Sequence, residues 1–167
     1  MSCLGVLFAL TADEVSKLKS FTNDQDRLNY LQEEIEPAYF SDHRDLMAET
    51  DKAWDAIHRA LSDGDLSYTT GPEPLRLAVI GGEGLYFKDD YIMSLKTPEQ
   101  VRALAPELEK ITEEELKRRY DGIEPAKYGF PKSEEDRHYT WDWFQGVTTL
   151  YKNAAAHGRY VLFTVDQ

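Results

Sequence analysis

Two apolar runs at opposite ends of the chain limit its fold more than anything between them. Leu4 to Leu10 (LGVLFAL) and Tyr160 to Val165 (YVLFTV) are continuous rather than alternating, the pattern of strands covered on both faces. Such strands belong in the buried middle of one sheet with helices packed against it. The residues between them read mostly as helices. Thr11 with Glu14, and Thr22 with Gln25, are capping boxes that open two helices; the second carries Leu28, Leu31 and Ile35 and is expected to end at Pro37. Ala38 to Glu49 reads as a polar loop with a brief edge segment at Leu46 to Ala48, and Ser62 to Pro74 as a surface loop rich in Asp, Gly, Thr and Pro.

In the second half, Tyr91 to Leu95 (YIMSL) has the pattern of a strand, and Thr97-Pro98-Glu99-Gln100 combines N-cap, N1 proline and N3 glutamine in one helix start. Pro106 is expected to break that helix or begin a new turn. Thr112 and Glu115 open the next, with Leu116 and Tyr120 facing inward. Ser133 caps the longest helix, Glu134 to His157, which at 1.5 Å per residue spans ~36 Å. The fold class is therefore α+β: a small mixed β-sheet with buried central strands, packed by several helices including one long C-terminal helix. Residues 1–167 are expected to form a single domain, with a core large enough to need no disulfide, as the lone Cys3 requires.

The stretch Asp51 to Leu61 (DKAWDAIHRAL) places Trp54, Ile57, His58 and Leu61 on one helical stripe and Asp51, Asp55 and Arg59 on the adjoining one. Thr50 is the expected N-cap and Gly64 the left-handed stop. Asp51, Asp55 and His58 could form a metal or acid/base cluster. Against this, no further His or Cys stands at ligand spacing. The simpler reading is a structural His58, its ring buried beside Trp54 and hydrogen-bonded through one nitrogen, with Asp55 and Arg59 as a solvated pair.

No nucleophile elbow, metalloprotease pair, C-x-x-C or P-loop occurs in the chain. Gly81-Gly82-Glu83-Gly84 after Leu75 to Ile80 matches no phosphate-binding fingerprint, and Glu83 would repel a phosphate; a tight turn that needs glycines explains it. No cofactor and no metal are expected. The chain carries a net charge of −12, distributed unevenly: residues 1–75 hold 15 acidic and 6 basic side chains, residues 76–167 hold 16 and 13. That balance opposes nucleic acid and anionic membranes and suits a basic partner. The start lacks a basic segment followed by a long apolar one, so a cytoplasmic location is expected.

Taken as a set, DKAWDAIHRAL, PLRLAVIGGEGL, YIMSLKTPEQVRAL with ITEEELKRRYD, the element YGFP and the closing YKNAAAHGRYVLFTVD resemble the YfbM-like family, a bacterial domain of unknown function. The resemblance covers most of residues 50–167 and, more weakly, LGVLFALTADEV. It implies an α+β domain with no established activity. Some similar proteins stand beside secreted toxins as immunity partners, which implies inhibition by binding a basic protein. Glu33, Glu34, Glu36, Asp42, Asp45, Asp63 and Asp65 are the acids expected to meet such a partner. The alternative is a small enzyme or ligand-binding domain with a cleft at Trp54, Asp55 and His58.

Overall fold

The computed structural model describes residues 3–167. Five strands form one sheet: β1 (Gly5–Leu10), β2 (Met47–Asp51), β3 (Glu83–Gly84), β4 (Tyr91–Lys96) and β5 (Tyr160–Asp166). Their order is β2-β1-β5-β4-β3, so the two apolar runs that end the chain lie side by side in the interior. Every pairing is antiparallel, which corrects the expectation of a mixed sheet. The reason is in the connections: β1 and β5 face each other as first and last strands, and β4 reaches β5 through three helices that return the chain from the opposite direction.

Helices cover both faces. Leu7 and Phe163 are cross-strand partners and share a face, while the neighbouring Phe8 points through to the other. Phe8 packs edge-to-face on Tyr39 at 5.6 Å, and Phe163 packs on Trp54 at 5.9 Å. The Phe8 face is covered by α1 (Ala12–Ser20), α2 (Asp24–Tyr30) and α3 (Glu36–Asp42); the Phe163 face by α4 (Trp54–Leu61), α5 (Pro98–Glu109), α6 (Glu113–Asp121) and α7 (Glu134–Ala156). The apolar side chains between these layers are buried in one continuous core.

Most helix starts follow their caps. Thr11 and Thr97 form complete capping boxes, and Thr112 and Ser133 accept from the backbone of Glu115 and Asp136. Asn23 rather than Thr22 caps α2, accepting from the Asp26 N–H one residue beyond the expected box. Neither proline stops its helix. Before Pro37 the chain makes one π-helical turn, Leu31–Ile35, in which the Glu36 N–H bonds to the Leu31 carbonyl. That wider turn shifts the bonding register, so a proline without an N–H enters α3 at its first turn. Pro106 sits inside α5 on its exposed side, as does Arg102, the residue whose carbonyl a proline four positions on cannot bond.

The central helix also starts later than its cap residues suggest. Thr50 is the extra residue of a bulge in β2, opposite Gly5 and Val6, and its hydroxyl donates to the Gly5 carbonyl at 2.9 Å. Asp51 then takes a left-handed turn (φ 48°), and α4 begins at Trp54 with no side-chain cap. The glycine turn is as tight as its composition implies. A side chain on Gly81 would collide with the Arg76 carbonyl, and Gly82 adopts φ 136°. Among the described residues no helix is long and apolar enough to cross a membrane.

Candidate functional site

Trp54 and His58 lie against the sheet, 5% and 1% exposed. The indole N–H of Trp54 donates to the Cys3 carbonyl at 2.9 Å. His58 Nδ1 accepts the N–H of Ile80 at 3.3 Å, which places the ring proton on Nε2, where it meets no partner. Burial, with the nearby Lys96 adding to it, lowers the ring to about 4, so it is neutral near pH 7. Lys96 is itself sealed: its amine donates to the Val79 carbonyl and, at 3.3 Å, to the carbonyl and hydroxyl of Ser94. Burial holds its pKa well below the ordinary lysine range. Ser94 in turn donates to the Ile80 carbonyl. Here polar side chains fasten the irregular 75–82 segment to β4 where no ladder does so.

At 1% exposure the His58 ring does not itself face the cleft expected there. Asp55 is likewise not the solvated group its spacing suggested. It is 8% exposed, paired with Arg59 at 2.6 Å, and Arg59 also donates to the Gly64 carbonyl at 2.8 Å. Burial raises the Asp55 carboxyl above its usual range despite that pair. The helix simply packs both stripes, one on the sheet and one against α6 and α7. Among the described residues no group of three or more His, Cys, Asp or Glu is placed to hold a metal.

A cleft does open just before the start of the same helix, on the outer side. Its volume is about 380 Å³, and it is bounded by Lys52, the loop residues Tyr128 and Phe130, and Ser133, Glu135, Asp136 and Tyr139 at the start of α7. The left-handed Asp51 directs Lys52 here, and the Lys52 N–H donates to the Tyr139 hydroxyl at 3.2 Å. Asp136 is the centre of the arrangement. Its Oδ2 receives the hydroxyls of Tyr120 at 2.6 Å and Tyr128 at 2.8 Å. Burial and the bond to Asp136 together push both phenols above their ordinary range, so they remain donors. Tyr128 is 5% exposed and stacks edge-to-face on Phe130 at 5.6 Å, while Phe130 is 42% exposed at the mouth. The start of DKAWDAIHRAL and the element YGFP, remote in sequence, thus become two walls of one cleft.

The acids named from the sequence are not gathered into one patch. Glu33, Glu34, Asp42 and Asp45 are exposed on or beside α3, and Glu36, half-buried there, has its carboxyl raised by burial. Asp63 and Asp65 follow α4 on the other side of the sheet. Glu34 pairs with Lys17 at 3.0 Å and Asp65 with Lys127 at 2.7 Å. Asp63 is held below its usual range by the backbone N–H of Asp65 and by Thr70. Sequence reasoning missed Tyr128, Phe130, Asp136 and Tyr139 as a group. The one signal pointing to them was the proline-bounded YGFP, an aromatic element in a loop.

Comparison with known proteins agrees with this architecture. The solved structure of YfbM from Escherichia coli, described as a protein of unknown function, matches with a TM-score of 0.63 at 17% identity, over 97% of this chain and 99% of that one. Curated proteins yield no match. The family model described as domain of unknown function DUF1877 matches residues 1–164. Extending over nearly the whole chain, that match shows that the protein belongs to the DUF1877 family.

Proposed function

We propose that this protein is a binding domain without catalytic activity of its own, and that its partner is a basic protein, of the kind an immunity-type inhibitor neutralises. The observation that carries the reading is how the charges are used. Most Lys and Arg side chains are already paired with carboxylates of the same chain, within a net charge of −12. The surplus lies on both helical layers. Steering therefore comes from the field of the whole molecule, and acids such as Glu33, Asp42, Asp45 and Asp63 contribute to it without forming a single contact patch.

The test is co-expression and capture with the basic proteins encoded beside it, at low and high salt. Reversing Glu33, Asp42, Asp45 and Asp63 to Lys is expected to slow association about tenfold at low salt. An association rate indifferent to both salt and the reversals would sink the reading.

A further inference from the structure

The cleft at the start of α7 combines features that select one kind of group. One wall is aromatic, with Tyr128 and Phe130 in edge-to-face contact and Tyr139 beyond them. The floor and rim carry two carboxylates, Asp136 and Glu135, against one cation, Lys52. Asp136 takes both tyrosine hydroxyls on Oδ2, while its Oδ1 has no partner among the described residues. A phenol that donates to a carboxylate becomes electron-rich, which strengthens the attraction of its ring face for a cation. The chain itself supplies a precedent on the neighbouring ring: the Lys132 amine stands 5.3 Å from the centre of Tyr120, the other tyrosine bound to Asp136. Tyr120 already has its cation. Among the described residues Tyr128, on the cleft side, has none.

Resting on the reading of a basic partner, we propose that this cleft receives an arginine side chain of that partner. The guanidinium would stack on the aromatic wall of Tyr128 and Phe130 and donate to the free oxygen of Asp136 and to Glu135. Arginine fits better than lysine because its planar fork can stack and bridge carboxylates at once, and it sheds water more easily. Lys52 opposes the incoming charge and sets the sign of the test.

The experiment is an amide-resolved NMR titration of the full chain with N-acetyl-arginine amide, compared with the norleucine and glutamate analogues. Saturable shifts at Tyr128, Phe130 and Glu135 are expected with the arginine probe alone. Phe130→Ala should weaken it about fivefold and Glu135→Gln about threefold, whereas Lys52→Ala should strengthen it about twofold. Phe130, Glu135 and Lys52 are exposed, so these variants keep the fold. The proposal is overturned by an absence of saturable shifts at the cleft, by equal binding of the neutral analogue, by preference for the glutamate analogue, or by a Lys52→Ala variant that binds more weakly. If the probe fails while salt-sensitive capture of a basic protein persists, the pocket is wrong and the broader reading stands. If the probe binds while capture ignores the charge reversals, the pocket stands and steering fails.

Discussion

Beneath the 75–82 segment, the ring of His58 and the amine of Lys96 are sealed from water and hydrogen-bond only to neutral groups. Near the start of α7, Asp136 accepts two phenol hydroxyls beside an open cleft. The contrast separates two uses of polar residues. In the sealed cluster every donor but the His58 Nε2 proton is spent within the protein, and that ring is itself buried. In the open cluster a carboxylate oxygen and the exposed ring of Phe130 are left over. The histidine that looks chemical in the sequence is sealed inside the fold, and the exposed Phe130 stands at the mouth of the proposed cleft.

The sharpest way to break that contrast is to remove Lys96. Lys96→Ala leaves a cavity and strips the Val79 and Ser94 carbonyls of their donor, an expected loss of about 3–4 kcal/mol in chemical denaturation. Lys96→Met, which refills the volume without a charge to bury, should lose clearly less. If the two variants are equally destabilised, the hydrogen bonds hold the segment and packing does not.

Acid should act on the same cluster through His58. The folded ring sits at about 4, against an ordinary value of 6.5. Below pH 6.5 the unfolded chain takes up this proton first. The stability carried by the neutral ring is complete above 6.5 and is lost as pH falls toward 4, by about 1.4 kcal/mol per unit. Glu36 and Asp55, whose carboxyls burial raises, work the other way at the acid end. His58→Asn places an acceptor near Nδ1 and cannot titrate, so its stability curve should be flatter across that window. An unchanged slope would mean that another group carries the acid sensitivity.

A smaller effect is expected in the open cluster. Tyr128→Phe removes one of two hydroxyls from Asp136 but leaves Tyr120 in place, an expected loss of about 1.5 kcal/mol. It should also weaken the arginine probe, because the ring loses the polarisation its hydroxyl bond provides. A stability loss with unaltered probe binding would make Tyr128 a support of the cleft rather than part of its wall.

How much of this was legible in the sequence depended on how local each cause was. Thr97 with Gln100, Thr112 with Glu115 and Ser133 with Asp136 are contacts within one turn, and they mark their helix starts correctly. The two terminal strands declared their burial by continuous apolar runs. Pro37 and Pro106 misled because the remedy for each lies outside the residue: a π-helical turn before one, the exposed side of the helix for the other. Thr50 has the chemistry of a cap, but its hydroxyl is taken by Gly5 across the sheet. The cleft was the least legible feature. Lys52 and Tyr139 meet across 87 residues, and Asp136 looks like one more acid in the first turn of a helix until Tyr120 and Tyr128 are folded onto it.

The smallest expected change in stability is also the most informative about the cleft. Phe130 is 42% exposed, so little apolar surface leaves the core when it is truncated, and Phe130→Ala should alter the unfolding free energy by no more than about 0.5 kcal/mol. If the residue served the fold, its edge contact with Tyr128 would make the loss larger. If it serves recognition, thermal and denaturant curves should overlay those of the parent chain while affinity for the arginine probe falls. An aromatic side chain that can be removed without harm to the fold, yet not without harm to binding, is what separates the open cluster from the sealed one. A variant that unfolds markedly earlier would return Phe130 to the core and leave the cleft without its outer wall.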